Sequence, residues 1–148
     1  LLMVGTGDLL VEFQTFAREH NLPVTFAGFL NQSEIPKAYV AADCQVLPSD
    51  NGETWGLVVN EGMACGLPAI VSDQVGSHLN LIDEGVTGYV FPCGNVARFA
   101  EAMQLFLANP DKVQTMGAAS RDKVQDYSYQ TVANGTVAAL EMVISNDR

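Results

Sequence analysis

"ETWGLVVNEGMACGLPAIVSD", residues 53–73, reads as the end of a loop, a short helix and a strand in immediate succession. Leu57, Val58, Val59, Met63 and Ala64 give an apolar helix that begins near Trp55 and Gly56. Gly66 and Pro68 stop it, the first by admitting a left-handed turn and the second by lacking an amide proton. "AIVS" then follows as an apolar run of strand type. Two acids, Glu53 and Glu61, stand on either side of the helix start. Glu61, on an otherwise apolar helix, is either a solvated surface charge or a ligand for something polar. For an arbitrary helix the solvated charge is the commoner case.

The rest of the chain repeats this alternation. "LLMV" ends in the turn "GTGD", where Asp8 is placed to cap a helix carrying Leu9, Phe13, Phe16 and Ala17 at helical spacing. "VTFAGF" is a second β-rich run, and Ser33 is expected to open a helix in "SEIPKAYVAAD", with Pro36 tolerated in the first turn. "CQVLPS" and "TGYVFP" are further strands, and the C-terminal third is helical. There Phe99, Met103 and Phe106 share a face, as do Val113, Met116, Ser120 and Val124, and later Val132, Thr136, Ala139 and Val143. Short strands separated by helices of this length favour an α/β fold with a Rossmann-like parallel sheet and helices on both faces.

The chain has 148 residues, 48% of them hydrophobic, enough for one domain with its own core. Seven basic residues against seventeen acidic ones give a formal charge of −10, which argues against nucleic acid or an anionic membrane surface as the main partner. Cys44, Cys65 and Cys93 show no CxxC or His pairing, so neither a disulfide framework nor a zinc site is implied, and a reducing, cytoplasmic setting fits best. No metal is called for. No apolar run reaches the length of a membrane span and no leader pattern is present. Leu1 stands where an initiator methionine would, so the chain is expected to be a segment of something longer.

In parallel sheets of this kind ligands lie outside the carboxyl ends of the strands. Two loops qualify. "GTGD", with Gly5 and Gly7, lacks the third glycine of a dinucleotide fingerprint and is weak alone. "PSDNGETWG", residues 48–56, is long and polar and delivers the chain to a helix start, where free N–H groups and the helix dipole favour a phosphate. With the helix starting near Gly56, Glu61 falls roughly 7–8 Å along the axis. That is near the distance from a diphosphate to the ribose of the same nucleotide. The two acids would thus bracket a nucleoside diphosphate attached to a sugar.

The ordered series "GTGDL", "TFAGFL", "IPKAYVAADCQVLPSDNGETWGLVVNEGMACGLPAIVSD", "GVTGYVFPCGN" and "YSYQTVA" resembles the donor-binding C-terminal half of retaining GT-B glycosyltransferases, a group that includes glycogen and sucrose synthases. The likeness covers essentially the whole of residues 1–148. It implies a nucleotide-sugar-binding domain of a hexosyltransferase-type enzyme that transfers a sugar with retained anomeric configuration. The donor is then a nucleoside diphosphate sugar, with no separate cofactor. By the same resemblance, Glu53 of the E-x7-E pattern lies beside the transferred sugar as the catalytic residue, and Glu61 binds the ribose. The amides of Trp55, Gly56 and Leu57 fall near the diphosphate, and Gly28, Phe29, Leu30 and Asn31 near the base.

Departures are visible too. Trp55 stands where Phe is usual, and Ser77 and Asn80 stand where the group often has glycine and glutamate, so no role passes to either. The group's first C-domain strand, with the Arg and Lys that clamp the diphosphate, would precede Leu1, as would an N-terminal acceptor domain; the stretch alone is expected to be inactive. Its partners are then the nucleotide-sugar and that N-terminal domain, with self-association and peripheral membrane contact left open. Two other classes remain: a Rossmann-like oxidoreductase, weakened by the incomplete GxG, and a non-catalytic flavodoxin-like interaction module. Since the group's strand order is 3-2-1-4-5-6, loss of strand 1 is expected to let residues 1–4 close directly onto 44–47, or to let a second chain fill the slot.

Overall fold

The computed structural model describes residues 1–50 and 52–146, so Asn51 of the 48–56 loop lies outside the described residues. Two compact units divide the chain, Leu1–Ala42 and Asp43–Arg148.

In the first unit, β1 (Leu2–Val4) leads through α1 (Leu10–Glu19) to β2 (Thr25–Gly28), and α2 (Ile35–Val40) follows. The two strands pair in parallel, Leu2 opposite Thr25 and Met3 opposite Phe26, with the register slipping at Val4. This is the strand–helix–strand crossover that the alternating pattern demands. Two helix starts differ from the expectation. Asp8 does not cap α1: the N–H of Leu10 bonds the carbonyl of Gly7, a tight turn that encloses Asp8, and Leu9 takes the cap position with no side-chain bond. Ser33 does not open α2, because its N–H and hydroxyl both bond Asn31 Oδ1, at 3.0 and 2.7 Å. That local turn competes with the helix, which starts two residues later with Pro36 in its first turn.

The second unit is built on β3 (Gln45–Leu47), α3 (Leu57–Ala64), β4 (Ala69–Ser72), α4 (His78–Leu81) and β5 (Gly88–Phe91). There follow α5 (Val96–Ala108), α6 (Pro110–Val124), a 3₁₀ turn (Gln125–Tyr127) and α7 (Tyr129–Asn146). The sheet is parallel, with β4 between β3 and β5. Side chains alternate across it. Leu47, Ala69, Val71 and Val90 meet Val59 and Met63 of α3 on one face, whereas Val46, Ile70, Tyr89 and Phe91 meet Ala102 and Phe106 of α5 and Met116 of α6 on the other. Both faces are covered, as the apolar "AIVS" requires of a central strand. Val59, Met63, Ile70 and Val71 are wholly buried, and each such side chain contributes on the order of 1.5–3 kcal/mol. The face of α7 that carries Val132, Thr136, Ala139 and Val143 is exposed.

The strands fall into two separate sheets, β1-β2 and β3-β4-β5. Direct closure of residues 1–4 onto 44–47 is therefore not what forms. Within each unit the helix between successive strands brings them side by side in parallel.

Candidate functional site

The second unit presents the start of α3 at the carboxyl end of β3. Gly56 takes the cap position with φ 87°, a left-handed conformation in which L side chains are strained. A Cβ there would also meet Val75 Cγ1 at 2.9 Å and Leu47 Cδ2 at 3.0 Å. Glycine is required twice over. The consequence is a helix start with no side-chain cap and no acid in its first turn. Val59 N–H bonds back to the Gly56 carbonyl at 2.8 Å, whereas the N–H groups of Leu57 and Val58 come before any intrahelical acceptor, and Leu57 is 69% exposed.

The loop that ends at Gly56 is fastened from behind by the turn after β4. Gly76 N–H donates to the Glu53 carbonyl at 3.3 Å, and Ser77 N–H donates to the Trp55 carbonyl at 2.9 Å. The approach is so close that a Cβ on Gly76 would overlap the Thr54 carbonyl oxygen. The Trp55 side chain turns inward, packing on the cluster of Val59, Met63 and Val71, and its Nε1–H donates to Asn60 Oδ1 at 2.8 Å. Its ring lies 6.0 Å from that of Tyr127, whose hydroxyl donates to the Asn80 carbonyl at 3.1 Å.

Glu53 is half-buried, and its stem lies beside the helix start: a Cβ on Gly56 would stand 3.6 Å from Glu53 Cγ. Glu61 is exposed, one helical turn beyond Leu57 and about 6 Å along the axis. The buried side of α3 is Val59, Gly62 and Met63, so Glu61 stands apart from it, on the side of Leu57 and Val58. An uncapped helix start with one carboxylate beside it and another a turn further on can take an anion at the amides and polar hydroxyls at the acids.

Neighbouring titratable groups serve the frame. Asp73, at the end of β4, accepts the Cys93 backbone N–H at 2.9 Å and Gln74 Nε2–H at 3.3 Å; the first of these chiefly holds its carboxyl below the usual range. Burial, with Asp43 adding to it, pushes the Cys44 thiol up, away from the thiolate that a nucleophile needs. All three cysteines are free thiols. The ring Nδ1 of His20 pairs with the Phe16 carbonyl and that of His78 with the Val75 carbonyl, both local contacts. Among the described residues, no group of three or more His, Cys, Asp or Glu could hold a metal ion, and no helix is long and apolar enough to cross a membrane.

The remaining sequence candidates belong to the first unit. Gly5 and Gly28 meet at the carboxyl ends of β1 and β2, where Gly5 N–H donates to the Gly28 carbonyl at 2.8 Å. Gly7 lies in the turn that starts α1. Phe29 is 75% exposed, Leu30 half-buried, and Asn31 is engaged by Ser33. The structure thus groups Glu53, Trp55, Gly56, Leu57 and Glu61 in one unit and Gly5, Gly7 and Gly28–Asn31 in the other. Sequence reading passed over Gly76, Asn60 and Tyr127. Only the "VGS" turn held a signal for Gly76; the contacts of Asn60 and Tyr127 are tertiary and have no spacing signature.

Residues 1–123 match the family Glycosyl transferases group 1. The chain is 33% identical over 112 residues to the sulfoquinovosyl transferase SQD2 of Arabidopsis thaliana, covering 74% of this chain and 22% of that one. It is 29% identical over 148 residues to a phosphatidyl-myo-inositol mannosyltransferase of Mycobacterium leprae, covering 99% and 38%. It is 33% identical over 123 residues to a glycogen synthase of Mycobacterium tuberculosis, covering 81% and 29%. The chain therefore spans well under half the length of these relatives. Among solved structures, a sucrose-phosphate synthase from Thermosynechococcus elongatus superposes with a TM-score of 0.81 at 29% identity, covering 99% of this chain and 39% of that one. The Anabaena protein HepE, solved in complex with UDP, superposes with a TM-score of 0.83 at 23% identity over 95% of this chain and 40% of its own, a likeness of fold. With its Rossmann-like units matching GT-B transferases and its family match running through most of its length, this chain belongs to the group 1 glycosyltransferases.

Proposed function

We propose that residues 1–148 form the nucleotide-sugar-binding domain of a retaining glycosyltransferase, whose acceptor would be bound by a further domain of the same enzyme. The observation that carries this reading is the start of α3, left without a side-chain cap by a glycine in the left-handed conformation, with Glu53 beside it and Glu61 one turn on. The diphosphate would take the amides of Trp55, Gly56 and Leu57, where the helix dipole offsets the chain's own negative charge. Glu61 would accept hydrogen bonds from the two ribose hydroxyls. Glu53 would face the sugar, accepting from its hydroxyls and supporting positive charge at the anomeric carbon as the bond to the leaving diphosphate lengthens. The donor is itself the substrate, so no separate cofactor is proposed. Three free thiols fit a reducing cytosol.

HepE, a protein of the same fold, is known in complex with UDP, which makes UDP the first ligand to try. Calorimetric titration against UDP, GDP, ADP and NAD tests the reading. One nucleoside diphosphate is expected to bind, and NAD is expected to bind more weakly or not at all. Preference for NAD would point to a dehydrogenase-like use of the fold, and binding of none of the four would point to an interaction module.

A further inference from the structure

Tyr127 lies in the 3₁₀ turn between α6 and α7, more than sixty positions from the E-x7-E segment, yet it touches both parts that frame the start of α3. Its ring packs against Trp55, the residue whose carbonyl receives Ser77 N–H, and its hydroxyl holds the carbonyl of Asn80, in α4. The indole Nε1–H of Trp55 is in turn bonded to Asn60 Oδ1. The indole thus has two partners, Asn60 and Tyr127, and the backbone of the same residue carries the carbonyl that ties the Glu53 loop to Ser77. We infer that Tyr127 is a positioning residue for the donor site, acting through Trp55 to fix the Glu53 loop against the turn at Gly76 and Ser77. The inference rests on the donor-binding reading for its functional consequence, but its mechanical part stands on these contacts alone.

Removing the ring leaves one wall of the Trp55 pocket open, and the indole can then tilt away from Asn60. The Trp55 and Glu53 carbonyls shift with it, and the bonds from Ser77 and Gly76 lengthen. Removing only the hydroxyl keeps the wall and loses only the bond to Asn80. Val71 belongs to the cluster on which Trp55 and Tyr127 pack, but the backbone of the central strand is held by its own ladders, with Ile70 and Val71 paired on both sides.

Trp55 is the chain's single tryptophan, so its fluorescence reports on this place alone. The test compares the intact protein with Tyr127→Ala and Tyr127→Phe by tryptophan emission, by amide hydrogen exchange, and by titration with UDP, GDP and ADP. Tyr127→Ala should shift the emission to the red. It should also speed exchange at Gly76 and Ser77 by about tenfold or more while exchange at Ile70 and Val71 stays as in the parent. Affinity for the nucleoside diphosphate that the parent binds should fall by about tenfold, the scale on which a misplaced loop weakens a site. Tyr127→Phe should restore the emission and most of the affinity. Unchanged exchange at Gly76 and Ser77 in Tyr127→Ala, or an equal rise at Ile70 and Val71, would overturn the inference, the second outcome marking plain loss of stability. If the parent binds none of the three nucleotides, the donor reading falls and the functional part of the inference with it. The emission and exchange results would still decide whether Tyr127 holds the loop.

Discussion

Replacing Gly76 with alanine is expected to cost about 3 kcal/mol of stability, a large part of what a domain of this size has to lose. Gly76 has ordinary backbone angles, so the effect comes from space and not from conformation. The added methyl would sit on the Thr54 carbonyl oxygen, which is main chain and cannot rotate aside as a side chain can. Either the 53–56 loop or the β4–α4 turn must retreat, and the bonds from Gly76 to Glu53 and from Ser77 to Trp55 are lost together. Gly135→Ala is the control. It lies within α7 with open space around it, so alanine should leave stability unchanged or raise it by up to about 1 kcal/mol through helix propensity. Urea unfolding of both variants measures the difference. A Gly76→Ala protein within about 0.5 kcal/mol of the parent, the range of an ordinary surface change, would show that the loop is not held as described.

The second large effect is catalytic and follows from the proposed function. In the intact transferase, Glu53→Gln should lower turnover by roughly 100-fold, the order expected when a preorganised charge is withdrawn from a transition state. Nucleoside diphosphate affinity should change by no more than about twofold, since the proposed function sets Glu53 against the sugar and not the nucleotide. Glutamine keeps the size and the hydrogen-bonding reach of the side chain and removes only the charge. Steady-state rates beside nucleotide titrations separate the two quantities. Equal turnover in variant and parent would return Glu53 to an ordinary half-buried loop residue.

Much of this was legible in the sequence because local and tertiary demands coincide there. "AIVS" is apolar throughout because β4 is covered on both faces, and the strand occupies those four residues. The start of α3 was visible at Gly56 because glycine ends the polar loop and the apolar run begins at once. What escaped depends on local turns that compete with helix caps and on contacts between distant segments. Asp8 and Ser33 have good capping chemistry, but a Gly7–Leu10 turn and an Asn31 side chain took their places. Closure of residues 1–4 onto 44–47 was expected from the loss of strand 1, whereas the strands form two separate sheets, β1-β2 and β3-β4-β5. The inward turn of Trp55 was also hidden. Only the fold brings the Tyr127 ring to the indole whose Nε1–H bonds Asn60.

The central claim, that a nucleoside diphosphate lies along the start of α3 with its ribose on Glu61, is tested most directly by a paired titration. The preferred ribonucleotide and its 2′,3′-dideoxy analogue are each measured against the parent and against Glu61→Ala, with the melting temperature confirmed unchanged. Glu61→Ala should weaken the ribonucleotide by about 1–3 kcal/mol, the value of charge-assisted bonds to two hydroxyls, and should leave the dideoxy analogue nearly unaffected. Equal losses for both ligands would contradict a ribose contact at Glu61.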